Sequence, residues 1–125
     1  MEFAKLKLTP AWKSYTCTEA SNTEMGILGC LLSRDVECNT LSYKQTLADN
    51  SLRAQCGNFT FMLKEGDFVV LSDLYSEESV PTEFRLPLQV FTQLLDDWQE
   101  KVCNTMPKEV VIRYANDLFI IEIFN

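Results

Sequence analysis

Four carboxylates crowd the stretch VVLSDLYSEESVPTEFRL, residues 69–86: Asp73, Glu77, Glu78 and Glu83, with Arg85 the only base beside them. Grouped acids can hold a hard metal ion, pass protons in acid–base catalysis, or pair with the arginines and lysines of a basic partner. Catalysis by two carboxylates requires both to aim at one bond. Asp96 and Asp97 are adjacent, but neighbours on a helix point about 100° apart and do not share a site. Glu77 and Glu78 fall in a loop, whereas catalytic carboxylates need fixed geometry. The D-x-D-x-D-G spacing of a calcium loop is missing around Asp67 and Asp73.

The chain contains no histidine. That removes the commonest general base and every Ser-His-Asp or Cys-His arrangement. With four glycines, none of them in a phosphate-cradling pattern, there is no nucleotide loop. Five cysteines stand at 17, 30, 38, 56 and 103. Their number is odd and no C-x-x-C pair supplies the short ligand turn of a zinc site. They read as reduced thiols, mostly small apolar core residues, of a cytoplasmic protein. Without a histidine or an electropositive setting, none is an activated nucleophile. The residues therefore point to a non-enzyme without cofactor or metal.

Charge carries the remaining signal. Eighteen acids against eleven bases leave a net charge of −7 over 125 residues. Such a chain repels phosphate backbones and anionic membrane surfaces, and favours a basic partner. From Glu65 to Glu100 there are nine acids and one base, Arg85. Tyr75 sits among the loop acids and offers contact area at low entropic cost. The candidate partner-binding residues are Asp73, Tyr75, Glu77, Glu78 and Glu83, with Asp67 beside them. A solvated acidic face with no partner is the plain alternative.

These residues must be positioned by one domain, residues 1–125. MEFAKLKLTP lacks the apolar core of a signal peptide, and no apolar run approaches the length that spans a bilayer. Alternation from Ala4 predicts a strand ended by Thr9-Pro10, and WKSYTCT suits a second strand. EASNTEM reads as a polar loop. GILGCLLS leans to a strand, because Gly26 and Gly29 lower helix propensity. Residues 40–50 suit a short helix. NFTFMLKEGDFVVLSDLY predicts a hairpin turning at Glu65-Gly66-Asp67, and TEFRL a further strand.

Leu88, Phe91, Leu94, Leu95, Trp98 and Val102 form one apolar stripe, which predicts a long amphipathic helix over about 88–103. EVVIRYANDLFIIEIF predicts a closing β-hairpin with Asn116-Asp117 as its turn. The expected fold is α+β: a mainly antiparallel sheet with the helix packed on one face and a C-terminal hairpin.

Residues 82–123, TEFRLPLQVFTQLLDDWQEKVCNTMPKEVVIRYANDLFIIEI, resemble the C-terminal part of bacterial immunity proteins of contact-dependent growth inhibition and related polymorphic toxin systems. The shared features are a strand entering a helix, F-x-x-L-L-D-D-W on that helix, P-K-E-V at the next strand and a closing hairpin. The likeness covers about the second half of the chain. It implies a cytoplasmic, non-enzymatic inhibitor that binds the toxin domain of a cognate effector. A nuclease toxin, with a basic phosphate-binding site, would suit an acidic inhibitor. An acidic adaptor or chaperone for a basic client, with no toxin partner, is the alternative that the composition equally allows.

Overall fold

The computed structural model describes residues 2–125 and is α+β, built on two four-stranded antiparallel sheets. In the first, β1 (Glu2–Thr9) pairs with β2 (Ser14–Ala20) on one side. On the other side β1 pairs with β7 (Glu109–Ala115), and β7 pairs with β8 (Leu118–Phe124). The second sheet runs β3 (Ala54–Cys56), β4 (Thr60–Glu65), β5 (Phe68–Asp73) and β6 (Glu83–Pro87), in chain order. One expected sheet is thus two. The N-terminal strand, paired with β2, also docks on the C-terminal hairpin, pairing Ala4 with Ile112 and Leu6 with Val110. The closing hairpin is present, and Asn116 and Asp117 take the left-handed φ values its turn requires, 54° and 58°.

Three short helices join the sheets: α1 (Thr23–Cys30), α2 (Thr40–Ala48) and α3 (Leu88–Trp98). The residues read as a strand, GILGCLLS, lie in α1 and its continuation. Asn22, in the segment read as loop, caps α1 by accepting the Met25 N–H at 2.9 Å. Gly29 weakens the helix but permits its approach to the sheet: a Cβ there would lie 2.6 Å from Cys17 Sγ. Burial along α1 explains the misreading, since Met25, Ile27, Leu28, Leu31, Leu32 and Val36 leave no regular wet stripe.

The single long helix expected over 88–103 is also shorter. α3 ends at Trp98, and residues Gln99–Cys103 widen into π-helical turns, with the Asn104 N–H bonding Gln99 O at 3.0 Å. α1 continues the same way over Leu31–Val36, where the Glu37 N–H bonds Leu32 O at 2.9 Å. The apolar stripe holds through the change: Phe91, Leu94, Leu95, Trp98 and Val102 are all buried. They belong to one core cluster with Ala4, Leu6 and Ile112 of the first sheet and Met62, Leu71 and Leu86 of the second.

The two helical extensions end side by side. A disulfide joins Cys38 to Cys103, with Cα atoms 5.7 Å apart. This corrects the reading of all five cysteines as reduced thiols; their separation of 65 residues is closed only by the fold. Cys17, Cys30 and Cys56 are free.

Candidate functional site

The acidic loop leaves the second sheet where β5 ends. Asp73 turns the chain outward, its carboxylate accepting the Tyr75 N–H at 2.9 Å. Tyr75 is left 69% exposed. The Leu74 N–H still donates to Phe59 O at 3.0 Å, and the rings of Phe59 and Tyr75 lie 6.1 Å apart. Glu77 and Glu78 follow, both exposed, with the Glu78 N–H on Ser76 Oγ at 3.3 Å. Glu83 opens β6 opposite Ser72; the strand alternates, with Glu83 and Arg85 outward and Phe84 and Leu86 inward.

Five of the six candidates therefore share the end of the sheet from which residues 74–82 emerge. Asp67 does not. It stands at the other end of β5, six residues from Asp73, which is about 20 Å along a strand. Arg85 also serves that far end. Its guanidinium meets Glu65 at 3.2 Å and lies 4.5 Å from the centre of the Phe68 ring. The loop acids keep no such partner. The ion pairs among the described residues are Lys5–Glu109, Lys44–Asp96, Arg85–Glu65 and Arg113–Glu122. Asp73, Glu77, Glu78 and Glu83 stand in none of them.

A buttress from the first half of the chain holds the base of the site. Asp35, on the extension of α1, accepts the N–H groups of Asn58 and Thr60, each at 2.8 Å, and of Phe59 at 3.2 Å. The Thr60 hydroxyl donates to the same carboxylate at 2.5 Å. Gly57 makes room for it, since a Cβ at that position would come within 2.3 Å of the Asp35 carboxyl carbon. The latch fixes Phe59, against which Tyr75 packs. Arg34 adds a cation 5.4 Å from the Phe59 ring centre.

Beside this lies an open cleft of about 410 Å³, lined by Trp12, Arg34, Glu37, Asn58 and Phe59 among others. Trp12, taken from the sequence as a strand residue, sits in the β1–β2 turn and is 79% exposed. Sequence reasoning missed Trp12, Arg34, Asp35 and Phe59 as parts of this surface. Gly57-Asn58 was the one local signal, a turn pair ahead of a strand. Its partner, Asp35, lies more than twenty residues upstream.

Among the described residues no three His, Cys, Asp or Glu side chains are grouped to hold a metal ion. Asp96 is tied to Lys44 and Asp97 accepts from Gln93 at 3.0 Å, so the two adjacent acids serve separate contacts. Burial pushes the thiols of Cys17 and Cys30 up, against a weaker opposing pull from the Glu19 backbone on Cys17 and from Arg34 on Cys30. Both are held in the unreactive protonated form. What the arrangement can do is bind: exposed Trp, Tyr and Arg side chains are what concentrates binding energy at protein interfaces. Among the described residues no helix is long and apolar enough to cross a membrane. In comparisons with known proteins, no family model, no curated protein and no solved structure matches this chain.

Proposed function

We propose that this protein is an immunity protein, a non-enzymatic inhibitor that binds a basic toxin domain, best a nuclease, and blocks its active site or substrate access. The observation that carries the reading is the grouping of four exposed, unpaired acids around Tyr75 at one end of the second sheet. Elsewhere Glu109, Asp96, Glu65 and Glu122 are matched in cis by Lys5, Lys44, Arg85 and Arg113, while other exposed acids such as Glu19, Glu37, Asp67 and Glu100 stand singly. Asp73, Glu77, Glu78 and Glu83 are exposed and unmatched around an exposed tyrosine. Cations supplied by a partner would complete them, and the field of a −7 chain would steer that partner in. Tyr75, Phe59 and Trp12 supply the apolar anchors that charge alone lacks. Asp67 would take part only if the partner wraps along β5.

The inhibitor would act in the cytoplasm, a reducing compartment in which the fold must hold even when the Cys38–Cys103 disulfide is opened.

The test uses the C-terminal toxin domain of the effector encoded beside this gene. Calorimetry should show binding, and reversing Glu77 and Glu78 together to lysine should weaken it at least tenfold with an unchanged melting curve, because exposed loop acids contribute little to stability. Association should slow several-fold between low and physiological salt as the Debye length shrinks to about 8 Å. Full affinity in the double reversal would move the interface to the Trp12 cleft or elsewhere. A gene with no effector neighbour, and no binding to a basic toxin domain, would remove the reading.

A further inference from the structure

The turn that follows the extension of α1 is built against its own sequence. The Asn39 N–H closes it on Val36 O at 2.8 Å. Glu37 stands at its first central position with φ 49° and ψ −118°. These are type II′ values, and that position favours glycine. A glutamate keeps such a conformation only while its surroundings impose it.

Three ties to α3 and its extension do so. The Trp98 indole N–H donates to Glu37 O at 2.7 Å, the Thr40 hydroxyl donates to Gln99 Oε1 at 3.0 Å, and Cys38 is bonded to Cys103. Only the last is covalent, and its Cys38 end is exposed. Exposed disulfides are the ones that exchange with outside thiols. A cavity of about 110 Å³ beside the turn, lined by Leu32, Glu37, Cys38 and Trp98 among others, leaves it room to move. The turn is also continuous with the base of the acidic loop. The Glu37 N–H, bonded to Leu32 O at 2.9 Å, closes the π-helical turns that carry Asp35. Asp35 in turn holds the 58–60 turn, where Phe59 meets Tyr75.

We propose that Cys38–Cys103 is a thiol–disulfide switch for the surface around Tyr75, a role that rests on reading that surface as the partner-binding face. Closed, the bond holds Glu37 in its turn and Asp35 in its latch. Opened, it lets the turn leave its left-handed conformation and slackens the latch, while the core stays folded. The reductant is a dithiol. Its thiolate attacks the exposed Cys38 Sγ, the S–S bond breaks, and the electron pair leaves on Cys103 Sγ, which takes up a proton. The second thiol of the reductant then displaces Cys38 from the mixed disulfide. Cys38 leaves as a thiol and the reductant becomes a disulfide, so two electrons and two protons pass to the protein. Cys103 stays beside buried Val102 on the extension of α3, so exchange with an oxidised dithiol re-forms the bond.

Nuclear magnetic resonance of the full chain, with the bond closed and after reduction by dithiothreitol, reads the switch directly. Reduction should shift the Asn58–Thr60 amides and the Phe59 and Tyr75 rings, leaving the β7–β8 hairpin in place. Affinity for the effector's toxin domain should fall about tenfold if the latched face is then held a tenth of the time. Glu37→Gly, which adopts a positive φ freely, should return the reduced protein toward the oxidised resonances and affinity. A chain that unfolds on reduction, seen by circular dichroism, overturns the proposal, because the bond is then a staple. Phe59 and Tyr75 resonances that do not move overturn it too, as does a reduced Glu37→Gly that behaves as the reduced wild type. Equal affinity in the two states overturns the coupling to the face. No binding in either state speaks to the proposed function, and the resonances alone then decide the switch.

Discussion

α1 and α3 do the same job with opposite surfaces. Each contacts strands of both sheets: α1 lies on β1, β2, β5 and β6, and α3 on β5, β6 and β8. Each runs on into π-helical turns, and the residues just beyond α1's extension meet the end of α3's at Cys38–Cys103. Yet α3 and its extension bury one stripe and leave Gln93 and Glu100 in water, while α1 and its extension are buried on most sides. A helix at the wall of a core must be amphipathic. A helix inside it need only be apolar and thin enough to fit. The buried one, α1, carries Asp35 at its far end and so sets the base of the acidic loop.

The largest effect should come from α3. Trp98 is buried, stacks edge-on against Tyr15 at 5.7 Å between ring centres, and donates its indole N–H to Glu37 O at 2.7 Å. Glu37 holds a left-handed φ of 49°, a conformation that needs such support. Trp98→Ala should cost about 3–5 kcal/mol in denaturant unfolding. A loss below about 1 kcal/mol would mean that α3 is not the wall of the core.

Next comes the link between the helix ends. Closing a loop of 65 residues stabilises by about 4 kcal/mol in the chain-entropy account. Adding a reductant should lower the melting temperature, and Cys38→Ser/Cys103→Ser should melt as the reduced wild type does. If the reduced chain stays folded at 37 °C, cytoplasmic action is compatible with the fold. If it unfolds, the protein needs an oxidising compartment, and the placement proposed for it fails.

The same contrast explains what the sequence made legible. The α3 stripe, the two hairpins and the turn at Asn116-Asp117 are local patterns, each written within about twenty residues, and each is present. α1 was hidden because a helix wet on no regular face has no period to read, and because Gly29 signals a broken helix when it marks a close approach. The division into two sheets depends on β1 meeting β7 across the whole chain. The loop acids and Tyr75 could be named in advance because charge needs no partner to be seen. Asp35, Arg34 and Trp12 join them only through tertiary contacts, as does the disulfide.

Asp35→Ala tests whether α1 positions the loop. The change orphans the N–H groups of the 58–60 turn and the hydroxyl of Thr60, which is 1% exposed. A cost of about 2–3 kcal/mol is expected, since hydrogen bonds to charged groups are worth roughly 1.5–3 each and water can reach part of this turn. Nuclear magnetic resonance should show Phe59 and Tyr75 shifting while α3 does not. Unperturbed Tyr75 resonances would separate the loop from α1.

The smallest effect should come from adding one methyl group to α1. Gly29→Ala gains about 0.5–1 kcal/mol of helix propensity. Against this, the new Cβ would lie 2.6 Å from Cys17 Sγ, 3.2 Å from its Cβ and 3.5 Å from the Ala4 Cβ. The first contact forces the thiol or the helix to move, and overpacking of this kind costs about 1–3 kcal/mol. The balance is a net loss of about 1 kcal/mol, seen as a lower denaturation midpoint with an unchanged slope. The two effects can be separated with a second substitution. Cys17→Ala removes the Sγ, leaving only the 3.2 Å and 3.5 Å contacts, so the pair Gly29→Ala/Cys17→Ala should exceed the sum of the singles by more than about 0.5 kcal/mol. Gln93→Ala on the exposed face of α3, which gives up only a solvent-exposed hydrogen bond to Asp97, should be neutral to within about 0.5 kcal/mol. If Gly29→Ala stabilises the protein and the pair is additive, the helix gives way to the methyl, and α1 is not held against the sheet as closely as α3 is held in the core.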